Sequence, residues 1–90
     1  MLTDLDLNDP RAKKLLFYLY THEAGYYDDL ECFKSSFVCS AESEGLIKRE
    51  GYHGYPYWRA TKKLDEFVDE SGIVTLRWKL MRKILRWLNS

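Results

Sequence analysis

The side chains able to do covalent or metal chemistry are few, and their spacing suits none of it. His22 and His53 stand far apart, and neither belongs to a nucleophile or metal-ligand motif. His22-Glu23 closes a helical pattern and reads as a charge complementing the last turn rather than as a ligand pair. Cys32 and Cys39 are the only cysteines. On one helix they would lie roughly 10 Å apart, beyond the roughly 7 Å Cα limit of a disulfide. No histidine spacing completes a zinc set around them, so they read as reduced, partly buried thiols. Asp4, Asp6 and Asn8 begin like a calcium loop, but Asp9 stands where that loop needs Gly and Leu15 where it needs Glu. Gly51 and Gly54 are not followed by a helix at phosphate-loop spacing. The reading is a binding protein, not an enzyme, with no metal and no cofactor.

What positions a binding surface is a small, mostly helical domain. Residues 1–8 form an irregular arm whose Leu5 and Leu7 could pack on the body. Asp9-Pro10 is a helix start, with Asp as N-cap and Pro at the first helical position. Ala12, Leu15, Leu16 and Leu19 follow as one apolar stripe, ending near His22 with Gly25 as left-handed terminator. Between Tyr26 and Glu44, Leu30, Phe33, Phe37, Val38 and Ala41 recur at helical spacing. Either two short helices meet near Lys34-Ser35-Ser36 or one continuous helix runs through. Two are preferred, with Ser35 or Ser36 capping the second.

Gly45 to Phe67, GLIKREGYHGYPYWRATKKLDEF, is the most telling stretch. Two β-prone runs flank a glycine-containing loop, which is a hairpin signal, with strands near 46–50 and 55–60. Trp58 and Ala60 face the core by alternation, leaving Tyr55, Tyr57 and Arg59 outward. Thr61 stands as N-cap of a third helix whose apolar face is Leu64, Phe67 and Val68, broken at Ser71-Gly72.

This order of strand, charged hairpin, aromatic-Arg-apolar-Thr and helix resembles the wing of winged helix-turn-helix proteins. The resemblance implies a mostly α fold with a small β-hairpin, in a domain spanning residues 9–72. It also implies a DNA-binding transcriptional regulator of phage, plasmid or prokaryotic type. The acidic start MLTDLDLNDP lacks the basic-then-apolar order of a signal peptide, so the expected location is the cytoplasm. The regulator's DNA contacts would come from Lys34, Ser36, Lys48, Arg49, His53, Tyr55 and Arg59, since outward Tyr and basic residues reach phosphates and the minor groove. The stretch preceding the wing is shorter than a standard helix-turn-helix. The segment that would read bases, Ser35 to Glu44, carries Glu42 and Glu44 rather than Arg, Asn or Gln.

Charge pulls in a second direction. The chain is formally neutral, with 14 basic and 14 acidic residues. All the acids precede residue 71, whereas Arg77, Lys79, Arg82, Lys83 and Arg86 follow it. Nucleic-acid affinity draws on displaced counterions, so an acidic body opposes it unless the bases gather on one face. The alternative is a protein-binding winged-helix module, such as an anti-CRISPR-like inhibitor of phage origin. Its acidic face, Asp28, Asp29, Glu31, Glu42 and Glu44, would mimic nucleic acid towards a basic protein partner.

Residues 73–90 read as a separate association element. Val74, Trp78, Met81, Leu85 and Leu88 form one apolar stripe, and Ile73, Leu76, Leu80, Ile84 and Trp87 form a second beside it. A surface helix needs an apolar arc of only about 100°. One stripe therefore packs on the domain and the other on something else, and the first is assigned to homodimerisation. No charge-free apolar run approaches the roughly 20 residues of a bilayer span, so no membrane role is expected.

Overall fold

The computed structural model describes residues 8–52 and 54–89. Residues 1–7 of the expected arm and the His53 expected to contact DNA lie outside them. The first helix, α1 (Pro10–His22), begins where the Asp9 carboxylate accepts the Arg11 amide at 2.9 Å. Its stripe of Ala12, Leu15, Leu16 and Leu19 is fully buried. The helix ends at Glu23, not Gly25. Glu23 adopts φ 68° and donates its amide to the Leu19 carbonyl at 3.1 Å. A non-glycine residue in this left-handed region carries a strain cost. Here the Glu23 carbonyl accepts the Ala60 amide at 2.7 Å and its carboxylate is gripped by Arg86, which holds the conformation.

Gly25 belongs instead to a strand, β1 (Ala24–Tyr26), that the sequence did not announce. A three-residue strand is too short to show alternation. It pairs antiparallel with β3 (Tyr55–Ala60), which also pairs with β2 (Ile47–Tyr52), giving the sheet order β1-β3-β2. The hairpin turns on Gly54 at φ 81°. Trp58 on the central strand is fully buried, with Gly25 directly opposite it. A Cβ at Gly25 would lie 3.1 Å from Trp58 Nε1 and 3.3 Å from two ring carbons. Gly25→Ala should therefore press on a fully buried ring, lowering stability by about 1–3 kcal/mol. Chemical denaturation measures this, and an unchanged midpoint would show that the ring can yield.

A 3-10 turn (Tyr27–Leu30) and α2 (Ser35–Ser43) occupy the ambiguous segment. Two helical pieces form, but Lys34 is the N-cap of the second, and neither Ser35 nor Ser36 caps it. Cys32, in the turn between them, and Cys39, on α2, are free and exposed rather than partly buried. The last helices are α3 (Lys62–Ser71) and α4 (Leu76–Asn89). Ile73-Val74-Thr75 stays out of α4, three residues later than the periodicity suggests. β-branched side chains are stiff in a helix. Ile73 and Val74 pack on the core instead, and the Thr75 hydroxyl accepts the Trp78 amide at 3.4 Å.

α4 lies against α1. Trp78 meets Phe17 edge-on at 5.2 Å and Tyr20 at 5.9 Å between ring centroids. Met81 and Leu85 are half-buried on the same side. The assignment of stripes is thus reversed. Trp78, Met81 and Leu85, named for dimerisation, face the domain, with Val74 packed on the core beside them. Leu76, Leu80, Ile84 and Trp87 face outward, and Leu88 alone of the first stripe joins them.

Candidate nucleic-acid interface

Strand register sorts the hairpin side chains onto two faces. Ile47, Arg49, Trp58 and Ala60 share the inner face, while Lys48, Glu50, Tyr55, Tyr57 and Arg59 share the outer one with Tyr26. Arg49 therefore points away from the other proposed contacts. It crosses to α2, donating through Nε and Nη2 to the two Glu42 carboxylate oxygens at 3.1 and 3.3 Å. Its guanidinium lies 4.2 Å from the centroid of the Tyr27 ring, and the Tyr27 hydroxyl donates to Glu42 at 3.2 Å. Arg59 is paired too, its Nε 2.6 Å from Glu50 Oε1.

These contacts set the electrostatics. Hydrogen bonds from Arg49 hold the Glu42 carboxyl below its ordinary value. Burial, reinforced by the Glu42 charge, pushes the Tyr27 hydroxyl up to about 12. On the far side of the domain, Glu23 is lowered chiefly by hydrogen bonding to Arg86, with Arg82 adding to it. Both carboxyls ionise more readily folded than unfolded, so their stabilisation is present above the ordinary value of 4.5 and lost as pH falls through the lowered ones. Melting temperature should fall between pH 7 and pH 3, and less steeply in a Glu23→Gln/Glu42→Gln variant. Identical profiles for the two proteins would remove these carboxylates from the account.

The remaining contacts are scattered. Lys34 sits over the Phe37 ring at 5.0 Å, Ser36 is exposed on α2, and Tyr55 is exposed on β3. Lys48 has no ion-pair partner among the described residues. The exposed surface of α2 is Ser35, Ser36, Cys39 and Ser43, which offers base edges neither Arg, Asn nor Gln. Of the acidic alternative, Asp28, Asp29 and Glu31 are exposed around the 3-10 turn. Glu42 is held by Arg49 and Tyr27, and Glu44 is half-buried at the end of α2.

What gathers positive charge is a cleft of about 540 Å³ where the end of α2, β2 and the start of α3 meet. Lys48, Arg49, Lys62 and Lys63 line it beside Gly45, Ile47 and Thr61, and its single acid, Glu42, is already engaged by Arg49. The Thr61 hydroxyl donates to the Gly45 and Leu46 carbonyls, tying α3 to the α2–β2 connection and leaving the first turn of α3 without a side-chain cap. Lys62 and Lys63 have no ion-pair partner among the described residues. Sequence reasoning passed over both. A signal was present: two lysines in a first helical turn oppose the helix dipole, and such local conflicts concentrate at working surfaces. Among the described residues no three His, Cys, Asp or Glu side chains gather where they could hold a metal ion. No helix among them is long and apolar enough to cross a membrane. Compared with family models, curated proteins and solved structures, the chain matches none.

Proposed function

We propose that the chain is a small winged-helix DNA-binding regulator of the phage or prokaryotic kind, gripping duplex DNA mainly through its phosphates. The observation carrying this is the basic cleft at the hairpin base, where Lys48, Lys62 and Lys63 stand beside an Arg49–Glu42 pair. Phosphate contacts supply most non-specific affinity and fix orientation without reading sequence. The element order supports the fold part of the proposal: helix, edge strand, two helical pieces, then a hairpin whose second strand pairs with the first strand. The serine-rich surface of α2 makes base reading a minor contribution.

The test is duplex binding as a function of salt. Lys48→Ala/Lys62→Ala/Lys63→Ala should bind more weakly, with the slope of log affinity against log salt shallower by up to about three units. Arg49→Ala and Arg59→Ala should change affinity less, because Glu42 and Glu50 already engage those guanidiniums. Wild-type protein that fails to bind duplex even at low salt overturns the proposal. The second reading, a protein-binding module of the anti-CRISPR-like type, is favoured by one observation. Asp28, Asp29 and Glu31 stand exposed together with no cation paired to them among the described residues. Charge reversal at these three would then abolish capture of a basic protein partner.

A further inference from the structure

The outward side of α4 is a continuous apolar ridge. Leu76, Leu80, Ile84 and Leu88 follow one another at intervals of four, and they are 82%, 56%, 40% and 63% exposed. Trp87 lies beside the ridge and is 75% exposed. Together the five expose on the order of 650 Å² per chain, above the roughly 300–600 Å² of the largest apolar patch on a typical monomer. The opposite side of α4 already anchors the helix through Trp78.

We infer that this ridge is the seam of a homodimer in which α4 packs against α4 of a second copy. Two such faces would bury at most about 1,300 Å², at the lower end of the roughly 1,200–2,000 Å² of specific, stable interfaces. Approaching that figure needs the two helices nearly aligned, as when ridges spaced by four pack between ridges spaced by three at a crossing of about 20°. Lys79 and Lys83 flank the ridge and stay exposed at its rim. An anionic lipid surface is the weaker occupant. Arg82 and Arg86, which would strengthen that attraction, are already engaged by Glu23 and Asp65. The inference stands apart from DNA binding, and it is read without DNA.

Sedimentation equilibrium on the full chain at micromolar concentrations is the test. The wild type should show twice the 10.7 kDa chain mass, and Leu80→Glu/Ile84→Glu should show the single mass with its helical circular-dichroism signal retained. Both positions face outward, so the substitutions leave the core untouched. Leu76→Ser/Leu88→Ser, at the ends of the ridge, gives the same reading should the first variant misfold. Lys79→Glu/Lys83→Glu should remain dimeric. A monomeric wild type, or a dimer that survives both ridge variants, overturns the inference. A monomer that co-sediments with phosphatidylglycerol-containing vesicles but not with pure phosphatidylcholine ones overturns it in favour of a lipid surface.

Discussion

Trp58→Ala should remove about 3–5 kcal/mol, the usual cost of truncating a fully buried aromatic side chain. A small domain has only about 5–15 kcal/mol of total stability, so this variant should be largely unfolded at modest denaturant. The ring fills the space between the sheet and α1, with the Tyr18 ring centroid 6.1 Å away and Gly25 against its edge. A contrast variant makes the test sharper. Trp58 Nε1 is buried without a hydrogen-bond partner, a situation that costs roughly 1–3 kcal/mol. Trp58→Phe deletes that orphaned N–H while keeping most of the ring, so its penalty should stay under about 2 kcal/mol. Equal losses for the Phe and Ala variants would mean that ring volume is not what Trp58 contributes.

Arg82→Ala should lower stability by about 1–3 kcal/mol and loosen α4 selectively. Arg82 reaches Asp65 at 3.2 Å and Glu23 at 3.5 Å, and its guanidinium lies 4.4 Å from the centroid of the Tyr20 ring. Its side chain is mostly buried, whereas both carboxylates keep partial access to water. The effect is therefore smaller than for a fully buried pair, where removing one partner costs about 3–5 kcal/mol. Arg86→Ala, at a more exposed position gripping only Glu23, should cost less than about 1 kcal/mol. Hydrogen exchange across residues 76–89 is the discriminating readout. Faster exchange there with an unchanged core locates the loss at the α4 attachment, and uniform acceleration would place it elsewhere.

Much of the architecture was legible because it follows from local pattern. Asp9-Pro10, the stripe from Ala12 to Leu19, the alternation around Trp58 and the break at Ser71-Gly72 each depend on neighbours in sequence. The elements that were missed depend on distant contacts. β1 exists because the Glu23 carbonyl and Gly25 meet β3, far along the chain, and nothing in Ala24-Gly25-Tyr26 states this. The two stripes of α4 are equally apolar, so only the positions of Phe17 and Tyr20 decide which faces inward. The candidate interface was half legible for a similar reason. Lys48 and Arg49 could be assigned to one contact set from the sequence, but alternation puts their side chains on opposite faces of β2. Lys62 and Lys63 join Lys48 only because Thr61 ties the start of α3 to the α2–β2 connection.

The pairing of Glu23 with Arg86 spans 63 positions of sequence, so forming it closes a long loop at an entropic cost. Both arginines that hold Glu23 come from α4, and so does the Trp78 ring that covers Phe17 and Tyr20. Detachment of this one helix therefore opens an aromatic groove and unclamps the α1–β1 corner in a single event. Segments held by few contacts open below the free energy of global unfolding. Salt, which screens the exposed Arg86 pair, should make that opening more frequent and the protein more prone to aggregate.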